Sequence, residues 1–195
     1  MIKTELDQQT NYIISGLERS GTSLLMQILH AGGVPTASDE TRPPDEHNPK
    51  GYFELERGKI INKLMDGTFP LDQFKGQFIK ITAYGLRFLP QGSYKIIYSE
   101  RNLDEILVSM EKMARIKDTN REETKEAFQK LNDLVKQQIT TREDTKVLFV
   151  NYNDIISQPE KTVQKIYDFL GVPDLDVYRM IAVVDKRLYR QRQKT

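Results

Sequence analysis

The residues with the clearest chemical purpose lie near the N-terminus, in Gly16-Leu17-Glu18-Arg19-Ser20-Gly21-Thr22-Ser23. A glycine, four residues and a second glycine have the spacing of a P-loop. Glycines let the chain turn tightly, so that successive N–H groups converge on an anion. Thr22 and Ser23 add hydroxyl donors, and a helix starting near Thr22 would add its positive end. The position after the second glycine is Thr22, where a nucleoside triphosphatase carries lysine; the nearest cation is Arg19. This loop therefore suits a phosphate-bearing ligand but lacks the usual charge for the outer phosphates of a magnesium-bound triphosphate.

Other chemistries find little support. The chain has no cysteine, which removes disulfides and thiolate metal sites. Its two histidines, His30 and His47, share no ligand-like spacing, so no metal is expected. A net charge of +1 across 195 residues gives no global field for nucleic acid. The polar N-terminus has no apolar signal core, and no apolar run is long enough to span a bilayer. The expectation is a cytoplasmic protein with one domain over residues 1–195. The sequence is silent on oligomeric state.

The elements that must carry the loop follow from periodicity. Asn11 to Gly16 is a short apolar run ending at glycine, which predicts a buried strand. Leu24, Leu25, Ile28 and Leu29 recur at helical spacing until Gly32-Gly33. Val34 to Gly51, rich in Pro, Asp, Glu and Asn, reads as a long surface loop. A helix is predicted over Phe53 to Met65, and strands over Gln77 to Thr82, Tyr94 to Ser99 and Lys146 to Val150, the last a buried one. An amphipathic helix follows Tyr94 to Ser99, with Leu103, Ile106, Leu107, Met110 and Met113 on its apolar side. Asp118 to Arg142 reads as one exposed helix. Pro159 to Leu170 reads as another, with proline in its first turn and Gly171 after its end. Strands alternating with helices imply a three-layer α/β/α fold around a central, mostly parallel sheet of the P-loop nucleotide-hydrolase type.

Arg19-Ser20-Gly21-Thr22-Ser23 resembles the phosphosulfate loop of the sulfotransferase family, which reads Lys or Arg, Ser-Gly-Thr, then Thr or Ser. The resemblance implies 3′-phosphoadenosine 5′-phosphosulfate (PAPS) as donor. It puts Arg19 on the sulfuryl-bearing phosphate and the amides of Ser20, Gly21, Thr22 and Ser23 on the 5′-phosphate. In that family an arginine at a strand end and a serine eight residues later hold the 3′-phosphate. Arg101 and Ser109 have this spacing. Arginine offers a fork to phosphate and a hydroxyl completes the grip. Asn48-Pro49-Lys50-Gly51-Tyr52-Phe53-Glu54 and the late Tyr152, Asp154, Pro159 and Phe169-Leu170-Gly171 are similar to segments of the bacterial-type branch. Arg187, Arg190 and Arg192 lie where the family often lays a basic segment over the donor.

The general base is not fixed by the resemblance. Cytosolic members use a histidine in a Lys-Thr-His-type segment, and Lys80-Ile81-Thr82 has none. Glu54 and Glu40 are the two carboxylate candidates, with Glu54 preferred. Glu54 could instead cap its own helix, and His47 is a third option. Lys80 is either a site residue or a surface lysine at a strand end. Arg101 has Glu100 and Asp104 as simple ion-pair alternatives. The function implied is sulfuryl transfer to a hydroxyl or amine, with no metal; the acceptor is unidentified. Two alternatives stay open: a P-loop kinase or nucleotide hydrolase with an atypical loop, and a non-catalytic nucleotide-binding protein of the same fold.

Overall fold

The computed structural model describes residues 5–39, 41–45, 48 and 51–185. Four strands form one parallel sheet: β1 (Asn11–Gly16), β2 (Phe78–Lys80), β3 (Tyr94–Glu100) and β4 (Thr145–Asn151), in the order β2-β1-β3-β4. Register runs straight across, with Ile13 opposite Ile79 and Ile96, and Ile96 opposite Val147. The central strands are apolar because both of their faces are covered.

The two faces are covered by different helices. On one side Tyr12, Ile14 and Ile97 pack under α1 (Thr22–Ala31), α6 (Pro159–Leu170) and α7 (Val177–Ala182). Between β4 and α6 lies α5 (Tyr152–Ser157), which adds Ile155 to the same core. On the other side Ile13, Ile96 and Tyr98 pack against α2 (Ile60–Met65), α3 (Leu103–Ala114) and α4 (Arg121–Thr141). The layers are therefore α/β/α, as expected. Asn102 fixes the start of α3 by accepting from the amides of Asp104 and Glu105.

Three expectations need correction. Helix does not run through Phe53 to Met65. Only Ile60–Met65 is α-helical, preceded by a 3-10 turn at Glu56–Gly58. Phe53, Glu56 and Arg57 hold φ of 53°, 51° and 56°, left-handed values that break a helix. Asp39 holds this conformation by accepting from the amide of Glu56 at 2.6 Å and donating its own amide to the Glu54 carbonyl. β4 is only half-buried, because it forms an edge of the sheet; Val150 is its one buried residue. The segment after α1 is not wholly a surface loop. Its start covers the other edge, where Phe78 exchanges backbone hydrogen bonds with Pro35 and Ala37.

No helix of the described residues is long and apolar enough to cross a membrane.

Candidate active site

β1 leads to β2 on one side of the sheet and β3 leads to β4 on the other. Open parallel sheets bind ligands outside the strand ends where the chain direction diverges in this way. Here that point lies between the C-terminal ends of β1 and β3, and a cleft of about 490 Å³ opens there. Its walls include Arg19, Glu54, Lys80, Arg101, Ser109 and Tyr152, which come from distant parts of the chain.

At one end of the cleft the loop after β1 makes its turn. Gly16 and Gly21 have φ of 148° and 110°. A Cβ on Gly16 would lie 2.5 Å from Ser20 Oγ and 2.6 Å from the Ser99 carbonyl. A Cβ on Gly21 would lie 2.4 Å from Tyr152 Cδ2. Both glycines are thus demanded by close packing as well as by φ. Gly21 is the N-cap of α1 and supplies no side-chain cap. The first turn of α1 therefore opens on the cleft, with Gly21, Thr22 and Ser23 in its wall.

Arg19 itself is left-handed, with φ 65°. Its Nε donates to Ser109 Oγ at 3.0 Å. Arg101 Nη1 donates to the Arg19 carbonyl at 3.0 Å, and Arg101 Nε to Glu105 Oε2 at 3.0 Å. The Arg101 guanidinium also lies 4.3 Å over the Tyr152 ring. The loop and the Arg101–Ser109 pair thus meet in one wall. Arg101 pairs with Glu105, one helical turn on, while Glu100 pairs with Lys136 and Asp104 with Lys125. Burial pushes the Tyr152 hydroxyl above its ordinary pKa, with Arg101 opposing. Ser20 does not line this cleft. Its hydroxyl is buried without a hydrogen-bond partner, beside a smaller cavity of about 220 Å³ that Ser99 and Asn132 share.

Next to Ser23 of the loop, the buried Lys80 pairs with the half-buried Glu54. Lys80, at the end of β2, is 7% exposed and so is not a surface lysine. Its Nζ donates to Glu54 Oε1 at 3.0 Å, to Ser23 Oγ at 3.3 Å and to the Tyr52 carbonyl. Burial pushes the Lys80 ammonium below its ordinary pKa, while Glu54 works to restore it. Glu54 does not cap a helix. Arg42 Nη1 reaches both of its oxygens, Oε1 at 3.2 Å and Oε2 at 3.0 Å. The Arg42 guanidinium lies 3.4 Å over the Tyr52 ring, and the Tyr52 hydroxyl donates to Asp45 at 2.8 Å.

Sequence reasoning anticipated Arg19, Arg101, Ser109 and Glu54 as site residues, and all four line the cleft. It missed Arg42 and Glu105. The i, i+4 spacing of Arg101 and Glu105 on a helix was the available signal for the second. Glu40, His47, Arg187, Arg190 and Arg192 lie outside the described residues. No group of three or more metal-ligating side chains occurs among the described residues.

The model of the sulfotransferase domain family matches residues 9–187. The chain belongs to the sulfotransferase family. No curated protein sequence matches it. Among solved structures, it is similar to a sulfotransferase from Mycobacterium tuberculosis, with 15% identity and a TM-score of 0.59 over 89% of this chain and 71% of that one. A mouse sulfotransferase complexed with PAP is 20% identical, with a TM-score of 0.55 over 98% and 70% of the two chains. The sulfotransferase domain of the Synechococcus PCC 7002 olefin synthase is 18% identical, with a TM-score of 0.52 over 98% and 86%. At these identities the likeness is one of fold.

Proposed function

We propose that this sulfotransferase moves a sulfuryl group from PAPS to a hydroxyl or amine. The observation that carries the reading is the convergence of the Gly16–Ser23 loop, Arg101 and Ser109 on one wall of the cleft, with the carboxylate of Glu54 linked to Ser23 through Lys80. Two anion sites and one proton acceptor fit a donor phosphorylated at both ends and an acceptor that must lose a proton. The open first turn of α1, with Gly21, Thr22 and Ser23 in the cleft wall, suits the 5′-phosphate. The mouse relative's complex with PAP supports the same class of nucleotide.

When bound, the donor supplies an activated sulfuryl group for in-line displacement. Arg19 and the amides of Gly21 to Ser23 stabilise the charge that builds on the leaving phosphate oxygen. Arginine keeps its proton, so Arg19 acts by charge and hydrogen bonding alone. Arg101, held from behind by Glu105, and Ser109 grip the 3′-phosphate. Glu54 accepts the acceptor's proton as the new sulfur–oxygen or sulfur–nitrogen bond forms and the bond to the leaving oxygen breaks. Lys80 holds that carboxylate and Ser23 together. No step assigned to these residues calls for a metal.

Thermal denaturation with 3′-phosphoadenosine 5′-phosphate (PAP), ATP or magnesium-ATP tests the donor assignment. PAP at about 100 times its Kd is expected to stabilise the protein by about 2.7 kcal/mol. A shift with magnesium-ATP and none with PAP would instead indicate a kinase or hydrolase. Transfer of labelled sulfuryl from PAPS to an acceptor panel then separates an enzyme from a binding protein.

A further inference from the structure

Glu54 is held by two cations that differ in freedom. Lys80 is buried and tied to Ser23 and to the Tyr52 carbonyl, so it belongs to the rigid wall. Arg42 comes from the loop between α1 and α2, and its side chain keeps 34% exposure at the cleft's mouth. One nitrogen of Arg42, Nη1, makes both contacts to the carboxylate. With Lys80 on Oε1 as well, Oε1 accepts two donors and is saturated. Oε2 accepts only from Arg42 among these contacts, so it is the oxygen with a lone pair left for an incoming proton.

The rest of Arg42 fixes where this nitrogen sits. Its guanidinium lies flat on Tyr52, whose carbonyl also accepts from Ser23 and whose hydroxyl donates to both oxygens of Asp45. Arg19, Arg57, Arg101 and Lys112 are the other cations in the wall of the same cleft; Arg57 donates to the Thr41 carbonyl at 2.6 Å, and Asp39 faces the backbone of the turn. Neither Arg57 nor Asp39 is bonded to the Glu54 carboxylate in these contacts.

We propose that Arg42 is a positioning residue that, with Lys80, sets the Glu54 carboxylate: the two cations together fill Oε1, and Oε2, touched by Arg42 alone, keeps a lone pair for the acceptor's proton. This inference rests on Glu54 being the base. Because a single nitrogen makes the contact, a lysine ammonium restores it in part, without the stacking on Tyr52, while methionine cannot.

The test uses the full chain saturated with PAP for spectroscopy and with PAPS for turnover. Protein labelled in its glutamate carboxyl carbons, with the Glu54 resonance assigned by Glu54→Gln, reports the carboxylate without need of catalysis. Arg42→Met is expected to move that resonance and Arg42→Lys to restore it in part. Transfer of labelled sulfuryl to phenol and to water gives the rate. Arg42→Met is expected to lower kcat roughly 100-fold, the scale of a misplaced reacting group, with PAP affinity retained and Arg42→Lys recovering part of the loss. An unmoved resonance, an unchanged kcat in Arg42→Met, or an Arg42→Lys variant as impaired as Arg42→Met would each overturn the assignment. Failure of the underlying reading has a different signature: Glu54→Gln would transfer sulfuryl at the parental rate.

Discussion

Two arginines and a glutamate divide the work of the cleft, and their surroundings assign the division. Arg101 contacts Glu105, the Tyr152 ring and the Arg19 carbonyl. It is therefore pre-oriented, and its entropy is lost on folding rather than on binding. Arg101→Ala removes a charge-assisted contact, worth about 1.5–3 kcal/mol, so PAP affinity should fall roughly 10- to 100-fold by calorimetry. Glu54→Gln keeps the shape of the side chain and removes the proton acceptor. Turnover should fall by roughly 100-fold or more, while the thermal shift produced by PAP persists. The Arg19 loop was open to view in the sequence because its residues are contiguous, and the structure puts Arg19 in the cleft wall. The burial of Lys80 was not, because it depends on Tyr52 and Glu54, which approach β2 only through a long connection.

At the scale of elements, periodicity found what has a period. β1, β3 and α6 have continuous apolar runs or a clear stripe, and their observed bounds nearly match the expected ones. The six-residue helices α5 and α7 are too short to show a stripe and were not anticipated. The apolar spacing of Ile60, Ile61 and Leu64 extended a predicted helix back over Phe53, since left-handed φ values leave no mark in hydrophobicity. Local rules are strictest at the start of α1. Gly21→Ala would place a methyl 2.4 Å from Tyr152 at a φ that alanine resists. Such strain costs on the order of 1–3 kcal/mol, and denaturant titration should read that loss together with the disappearance of PAP stabilisation. At the other side of the cleft, Asn102→Ala deletes the cap of α3 and should cost about 1 kcal/mol in the same titration.

Over the whole molecule, the two cores have separate duties. The core beneath α1 and α6 is closed at its far end by α7, where Met180 is fully buried and packs so tightly that a Cβ on Gly32 would lie 2.5 Å from it. Met180→Ala should destabilise the fold by about 2–5 kcal/mol. PAP affinity measured well below the melting transition should be retained, since Met180 is not in the cleft. The layer order was legible from the alternation of strands and helices. The strand order was not, because parallel pairing is decided by which faces the helices cover, and periodicity does not encode that.

The contact between Gly21 and Tyr152 also bears on biosynthesis. The anion cradle sits near the N-terminus, yet the ring that packs on its second glycine arrives with α5, after the last strand. A ribosome will have made the loop long before it makes that ring. The nascent protein thus carries an unfinished turn until β4 and α5 dock, and the proposed donor site is completed late in its maturation.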